Sequence, residues 1–473
     1  MEEQQERRNV GERELEGGQP SRNNGQTGLE PEEHRINIVE ISHRDWIESL
    51  RTAEESTQSQ SQWPRIPKVP QMLRGTQDFK KFYEPRLISI GPYHHGKPDL
   101  HEGEMIKRLC AKKFLADSNQ DIEALYTKIE SNIEAVRTCY DNIQPNEYDD
   151  EALARMMLLD GCFLLEFVCG KDRKKVLRSH QINFAEPDLF LLENQLPFGV
   201  LKLIFEGANL EGPVKKEMKK FVIRTMELEE DEEDEEPSHL LALLRSALVG
   251  KSEPKQERQP DKKGKSSSSS GGDGRFCCPR KKGKQRGIRQ SFRNIKELKA
   301  AGIHLRKSRT SFLRDISFNS YYFRGYLNLP PIIVDDSTKS RFLNIVAYEM
   351  CPDAPDAPDD YAVTSYICFL YDLIDHADDV KELRSKHILH NLLGSDDDVA
   401  QIFNEIGNDL VDPDAYEDVK DCIQKHYKKR VNTWIAQALH NYFRSPWTVM
   451  AFIAALLILF LTGVQTYYAL PGN

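Results

Sequence analysis

The last part of the chain constrains its folding more than any other feature, because residues 445–473 contain no Asp, Glu, Lys, Arg or His. Within this part, the 22 residues from Trp447 to Tyr468 are predominantly apolar. A helix of that length, at about 1.5 Å per residue, spans about 33 Å, close to a hydrocarbon core about 30 Å thick. We therefore predict one transmembrane helix over residues 446–468, followed by a short tail at 469–473.

The residues that flank this segment predict its orientation. Trp447, Tyr467 and Tyr468 lie at its two ends, where aromatic rings favour the depth of the lipid headgroups. Arg444 precedes the segment, as do four basic residues between positions 425 and 430, and no basic residue follows it. Because basic flanks stay on the cytoplasmic side, the bulk of the chain is expected in the cytoplasm. The plasma membrane is the favoured location, with an endomembrane as the alternative.

Composition limits the class of protein. A hydrophobic share of 39% is too low for a multi-span membrane protein, and 9% aromatic residues is too many for a fully disordered chain. The N-terminus is acidic and polar, so no secretory signal is predicted. No Asn-x-Ser/Thr glycosylation acceptor occurs in the chain, which also favours a cytoplasmic location.

Charge is distributed very unevenly and suggests domain boundaries. Nine of the ten residues from Glu227 to Glu236 are acidic, and residues 251–289 hold 13 Lys or Arg against 4 Asp or Glu. Such runs stay solvated, so we predict a disordered insertion over residues 227–290, with one short helix at His239–Leu248. Residues 1–62 are polar and are predicted to form a disordered leader. The remaining folded pieces are residues 63–226 and 291–445.

Apolar periodicity predicts a mainly α-helical globular domain with a few short extended or β segments. The segment Arg86–Gly91 is short and fits either a strand or an extended loop, and residues 312–336 are expected to be extended. Pro197 is expected to kink its helix or to divide it into two. Asp336 and Ser337 are expected to cap one helix, and Ser395 another. The predicted helices are His101–Ala116, Asp121–Cys139, Glu151–Val168, Asp188–Phe205, a helix ending at Met350, Tyr361–His376, Asp378–His390, Asp396–Gly407 and Ala415–Phe443.

Three histidines and four acids are the strongest candidates for chemistry. His94 and His95, together with His101 and Glu104, contain the groups that a metal or acid–base site needs, but the glycines and the proline around them favour a structural turn. Asp160 and Glu193, or Glu166 and Glu193, would form paired carboxylates, but acids inside apolar segments more often act as internal polar clamps. No phosphate-binding, nucleophile-elbow or zinc-protease motif occurs in the sequence, so we predict no cofactor.

The basic stretch PRKKGKQR at residues 279–286 is a candidate contact surface. A solvated linker is the simplest interpretation, while an anionic lipid surface or a protein partner is the alternative. Nucleic-acid binding is not expected, because no aromatic residues are interleaved with the charges. The residues concerned are Lys281, Lys282, Lys284 and Arg286.

Five blocks in order resemble one plant family, the proteins that carry domain of unknown function 247, also called uncharacterised protein family 0481. The resemblance covers about Pro67 to Tyr468 and departs from the family pattern at Glu349–Met350 and Glu104–Met105. It implies a membrane-associated protein with no accepted catalytic activity, and an association of some grass members with pollen–stigma self-incompatibility implies recognition. The blocks are SIGPYHHG (89–96), MLLDGCFLLE (157–166), DLFLLENQLPF (188–198), DDSTKSRFLNIVAYE (335–349) and VTSYICFLYDLI (363–374).

The sequence therefore predicts a single-pass membrane protein whose soluble domain acts by interaction with protein partners and not by catalysis. The lipid bilayer is its other expected partner. The alternative is an enzyme with a pocket formed by His94, His95, Asp160 and Glu193.

Overall fold

The computed structural model describes residues 63–469 with gaps, and its described residues belong to one compact unit, Gln58–Asn473. The gaps are 76–77, 142, 144–146, 171–173, 175, 207, 209–212, 229–235, 251–293, 322–323, 353–360, 409 and 429–445. The predicted leader and the basic part of the predicted insertion lie outside the described residues.

The described residues form seventeen α-helices and five short strands, which confirms the mainly α prediction. The helices are α1 Gln71–Arg74, α2 Phe79–Tyr83, α3 His101–Ser118, α4 Ile122–Glu130, α5 Ile133–Thr138, α6 Asp150–Cys169, α7 Ser179–Asp188, α8 Phe198–Phe205, α9 Val214–Met226, α10 Leu240–Val249, α11 Ile295–Ala300, α12 Thr338–Glu349, α13 Ala362–Leu373, α14 Ala377–Ser385, α15 Asp396–Gly407, α16 Glu417–Lys428 and α17 Pro446–Ala469. The strands are β1 Ile303–Lys307, β2 Ser317–Tyr321, β3 Arg324–Leu329, β4 Ile332–Val334 and β5 Leu389–Asn391.

Helix α6 is the centre of the first half of the domain. It begins at the predicted place, where the Asp149 carboxylate accepts a hydrogen bond from the Ala152 N–H at 2.7 Å. Fourteen of its residues are buried, and it contacts α3, α4, α8 and α9. An α-helix with apolar residues on nearly every side must lie inside a domain, as predicted.

The second half of the domain contains two small sheets. In the larger sheet the strand order is β1-β3-β2, with β1 parallel and β2 antiparallel to β3. The smaller sheet pairs β4 with β5 in parallel, and helices α12, α13 and α14 connect the two strands. The extended region predicted before α12 is thus confirmed as strands.

One hydrophobic core joins the two halves of the sequence. The side chain of Asn344 on α12 accepts a hydrogen bond from the Leu192 N–H at 2.8 Å and donates one to the Phe82 carbonyl at 2.9 Å. Helix α10 lies in the same core, where Arg245 donates to the Glu349 carboxylate at 2.9 Å. The short helix predicted at His239–Leu248 is confirmed, but it belongs to the core and not to a disordered insertion.

Two predicted helices are divided or end earlier than expected, and a third is described only in part. The helix predicted over Asp121–Cys139 divides into α4 and α5, because the Ser131 and Asn132 side chains both donate to the Lys128 carbonyl, which favours a turn. The helix predicted over Asp378–His390 ends at Ser385, since His387 has a φ of 56° and the following residues pair with β4. The described part of the helix predicted over Ala415–Phe443 is α16.

Of the two predicted helix caps, the one at α15 is confirmed and the one at α12 is wrong. The Ser395 hydroxyl accepts a hydrogen bond from the Asp398 N–H at 3.1 Å, as predicted. At α12 the capping group is the Asp335 carboxylate, which accepts from the Ser337 N–H at 3.0 Å and from the Thr338 hydroxyl at 2.9 Å. Asp336 and Ser337 therefore do not cap α12 through their own side chains.

Helix α17 is long and apolar enough to cross a membrane. Its apolar window, Met450–Tyr467, is not buried against other residues. The predicted span, residues 446–468, matches the bounds of α17, Pro446–Ala469.

Candidate functional site

The segment Asp188–Pro197 is a hub of buried polar contacts, and all of it after Asp188 lies outside a helix. We expected a helix over Asp188–Phe205, but α7 ends at Asp188 and α8 begins at Phe198. The residues Asp188, Glu193, Asn194 and Gln195 are all at most 4% exposed. Buried polar groups need hydrogen-bond partners, and these side chains find most of theirs in the backbone of other segments. We call these four residues the polar hub.

Asp188 binds the start of the extended segment Arg86–Gly91. Its carboxylate accepts hydrogen bonds from the N–H groups of Arg86 at 3.0 Å, Leu87 at 2.8 Å and Ile88 at 2.9 Å. Burial raises the pKa of Asp188 to about 6, and the three N–H donors oppose that rise. Asp188 therefore replaces the partner strand that this extended segment lacks.

The side chains of Asn194 and Gln195 also bind the backbone of neighbouring segments. The Asn194 side chain accepts from the Ile90 N–H at 2.7 Å and donates to the Ile88 carbonyl at 2.9 Å and the Asp188 carbonyl at 2.8 Å. The Gln195 side chain donates to the carbonyls of Leu189 and Leu191, and it accepts from the Leu241 N–H at 2.9 Å. Because these side chains satisfy the carbonyls of residues 188, 189 and 191, this stretch has no need to continue as a helix.

Asp160 binds the end of the extended segment and a buried lysine. Its carboxylate accepts from the Gly91 N–H at 2.8 Å and from the ammonium of Lys107 at 2.6 Å. Lys107 is fully buried and also lies 2.6 Å from the Glu104 carboxylate. Burial alone would lower the pKa of Lys107, but Asp160 and Glu104 outweigh it and raise that pKa above its ordinary value.

Glu193 connects the hub to the N-terminal part of the domain. Its carboxylate accepts from the Val69 N–H at 2.7 Å and pairs with the Arg74 guanidinium. The His94 Nε2 atom lies 3.7 Å from the other Glu193 oxygen. Burial, together with the nearby Lys97, lowers the pKa of His94 to about 4, so His94 is neutral at pH 7.

Three of the four residues predicted to line an enzyme pocket lie in the interior, and the structure brings two of them into contact. His94 and Glu193 are in contact, whereas Asp160 binds Lys107 and Gly91, and all three are at most 4% exposed. Glu166, the other acid considered, pairs with Lys113 at 2.9 Å. The prediction of internal polar clamps is confirmed.

The remaining histidines near this segment are peripheral. The His95 Nδ1 atom lies 3.9 Å from Glu104, and its ring meets the edge of Tyr148. His101 is exposed at the first position of α3. Among the residues that the structure describes, no group of three or more His, Cys, Asp or Glu is placed to hold a metal ion.

A groove of about 1200 Å³ lies elsewhere, between α1 and α2 on one side and α12, α14 and α15 on the other. We call it the acidic groove. Its apolar surface is formed by Met72, Leu73, Phe82, Leu343, Met350, Ile406 and Leu410. Lys339 lies across it, 4.3 Å from the ring centre of Phe82, and pairs with Glu405. That contact with Lys339 lowers the pKa of Glu405.

Carboxylates dominate the edge of the acidic groove. Asp78, Asp375, Asp378 and Asp397 are exposed there. Asp375 contacts His376 at 3.6 Å. The other three make no ion pair with any residue that the structure describes, and Lys339, the one lysine in the lining, is already paired. The groove therefore combines an apolar floor with exposed carboxylates that outnumber the two lysines, Lys81 and Lys339, at the Phe82 ring.

Comparison with known proteins decides the family. A family model described as "Plant protein of unknown function" matches residues 66–461. The chain belongs to the DUF247 family. This DUF247 chain is 27% identical over 421 residues to the UPF0481 protein At3g47200 of Arabidopsis thaliana, across 82% of this chain and 83% of that protein. It is 22% identical over 468 residues to the putative UPF0481 protein At3g02645 of the same plant, across 81% and 86% of the two chains. No solved structure matches it.

The predicted membrane-interface and lipid-contact residues of the DUF247 chain are only partly described. Trp447 and Tyr467 are exposed near the two ends of α17. The side chain of Tyr468 and the whole of Arg444 lie outside the described residues, as does the basic stretch at 279–286 with Lys281, Lys282, Lys284 and Arg286.

Sequence reasoning missed several residues that organise the DUF247 domain. Asn194 and Gln195 interrupt an apolar run, FLLENQLPF, and that interruption was the available signal. Lys107 gave no signal, because its position in α3 resembles that of any exposed helical lysine. The same is true of Arg245, whose buried partner Glu349 also accepts from the Thr364 N–H at 2.8 Å.

Proposed function

We propose that this DUF247 protein is a membrane-anchored recognition protein without catalytic activity, whose acidic groove holds a basic amphipathic segment of a partner protein. The observation that carries the proposal is the apolar floor of the groove with its exposed carboxylates, three of which make no ion pair with a described residue. The groups that an enzyme would need, His94, Asp160 and Glu193, are buried in contacts with backbone and with other side chains.

The size and chemistry of the acidic groove favour a helical peptide over a small ligand. Its volume of about 1200 Å³ exceeds the range of roughly 300–1,000 Å³ of most small-molecule sites. An amphipathic helix places apolar side chains in a groove at helical spacing, and its flanking lysines would then meet the carboxylates at the edge. Complementary charge of this kind also speeds association and selects the partner.

Binding of a designed peptide tests the groove. The probe is an 18-residue Leu/Lys peptide with leucines on one helical face, measured by fluorescence anisotropy against the full chain in discs of neutral phosphatidylcholine. We expect the variant Asp378→Asn/Asp397→Asn to bind about tenfold more weakly, with a lower dependence on salt, because two attractive charges are removed. A Leu/Glu peptide of the same pattern should not bind.

The matched control is Glu123→Gln/Glu134→Gln, which removes two exposed acids on α4 and α5. Circular dichroism checks that Asp378→Asn and Asp397→Asn, which lie in the first turns of α14 and α15, leave the helices intact. Equal loss of binding in the control variant, or no preference for Leu/Lys over Leu/Glu, would contradict the proposal.

Helix α17 supports the anchoring part of the proposal through its length, its apolar surface and its exposed aromatic ends. Its basic N-terminal flank favours a cytoplasmic domain. We expect full-length protein in intact microsomes to resist carbonate extraction and to lose its soluble domain to added protease. Deletion of residues 446–473 should move the protein to the soluble fraction. Protection of the soluble domain from protease would refute the cytoplasmic orientation, and a truncated protein that stays in the membrane would refute the anchor.

A further inference from the structure

The sheet of β1, β2 and β3 buries one face and exposes the other. Ile303, Leu305, Leu327 and Phe318 point into the core, as the alternation along each strand requires. The opposite face is a polar and basic surface, which we call the basic sheet face. Its residues are His304, Arg306, Ser317, Asn319, Tyr321, Arg324, Tyr326 and Asn328.

The charges at this face are mostly uncompensated. Arg306 and Arg324 on the face, and Lys307 and Arg309 beside it, are exposed and make no ion pair within the described part of the chain. Lys299 and Lys386 lie nearby but share one acid, Glu382, at 2.9 and 3.9 Å.

His304 reports the same concentration of positive charge. Its pKa is lowered by partial burial and then by Arg324, Lys386, Arg306 and Lys299. Four cations are therefore close enough to His304 to disfavour a fifth positive charge there.

The aromatic residues of the face are already in contact with their neighbours. The Arg306 guanidinium lies 3.5 Å from the centre of the Tyr326 ring. The rings of Tyr321 and Tyr326 meet edge to face, with their centres 5.8 Å apart. A nucleic-acid base needs a free ring face for stacking, so this arrangement disfavours single-stranded nucleic acid. Stacking on Tyr326 instead holds the planar Arg306 guanidinium in place. A guanidinium held in this way can donate two parallel hydrogen bonds to two oxygens of one phosphate group.

We infer that the basic sheet face binds a ligand with clustered phosphate groups of the inositol phosphate type. Asn319 adds an amide donor to the face, Asn328 adds the amide N–H that it does not donate to Ser317, and His304 in its neutral form adds one N–H donor. The same chemistry is present in a phosphoinositide headgroup of a membrane and in a free inositol phosphate. The inference concerns a surface distinct from the acidic groove, so it does not depend on the function proposed above.

Two probes distinguish the sources of the ligand. The full chain, held in neutral phosphatidylcholine discs, is titrated with inositol 1,4,5-trisphosphate by calorimetry. In parallel it is mixed with phosphatidylcholine vesicles with and without phosphatidylinositol 4,5-bisphosphate, and co-sedimentation is measured. Binding of either probe supports the inference, and preference for the soluble probe or for the vesicles identifies the source. Binding of neither probe overturns it.

The test variant is Arg306→Gln/Arg324→Gln, and the matched control is Arg108→Gln/Lys112→Gln, two exposed cations on α3. We expect the test variant to weaken binding about 25-fold, which corresponds to about fivefold for each basic side chain near anionic phosphate. The control should stay within about twofold of the wild type. Circular dichroism checks that both variants are folded. Equal loss in the control overturns the inference, as does tighter binding of single-stranded oligouridine than of both phosphate probes.

Discussion

Replacement of Lys107 by Met should destabilise the domain by about 3–5 kcal/mol, the cost expected when one partner of a buried ion pair is removed. Lys107 has no exposed surface, and its ammonium contacts Asp160 and Glu104 at 2.6 Å and the Ser89 carbonyl at 2.9 Å. Without it, Asp160 keeps only the Gly91 N–H as a described donor. Urea denaturation of the full chain in neutral detergent, followed by far-UV circular dichroism, measures the change in the free energy of unfolding.

Two further variants separate the ion pair from other effects. Lys112→Met changes an exposed lysine on the same helix and should alter stability by less than about 0.5 kcal/mol. Lys107→Met/Asp160→Leu removes both charges, so it should cost less than the sum of the single variants, because each single variant leaves the other charge of the pair without its partner and the double variant does not. A Lys107→Met protein as stable as the Lys112→Met control would contradict the assigned role of the pair.

Replacement of Asn194 by Leu should cost about 3 kcal/mol, because it leaves buried backbone groups without partners at about 1–3 kcal/mol each. The groups affected are the Ile90 N–H and the carbonyls of Ile88 and Asp188. Leu is close to Asn in size, so the loss reflects hydrogen bonding more than volume. The same urea titration measures it, and hydrogen exchange should show faster exchange at Ile90.

The control for this variant is Asn132→Leu, which removes one exposed hydrogen bond to the Lys128 carbonyl. It should change stability by less than about 1 kcal/mol. If both variants were equally stable, or if the Ile90 amide kept its protection in Asn194→Leu, the polar hub would not hold the extended segment as described.

The polar hub also explains why one helix prediction failed. Residues 188–205 have helical spacing of apolar residues, and Pro197 alone allowed a kink or two helices in contact. In the structure, Asn194 and Gln195 bind the carbonyls of residues 188, 189 and 191. These bonds compete with helix formation, and they form only because distant segments enclose the side chains. Periodicity alone carries no information about such long-range partners.

The sequence predicted which acidic residues of the candidate site are buried, but not the residues that they bind. Acids within apolar stretches, such as Asp160 and Glu193, predicted buried polar clamps, and the structure confirms them. Their partners were not predictable, because Lys107 and Arg74 have no pattern that separates them from exposed basic residues. The acidic groove was not predicted either, since its floor and its edge come from five helices distant in sequence.

The sequence by itself determined the class of the protein. A charge-free segment long enough to span a bilayer and two helical pieces follow from composition and local periodicity, which depend on neighbouring residues. The family resemblance rests on five sequence blocks that occur in order. Only the tertiary structure decided which polar residues are buried together and which charges remain exposed without a partner. The physical reason is that burial and pairing depend on contacts between residues far apart in the chain, such as Asp188 with Ile88 or Asn344 with Phe82.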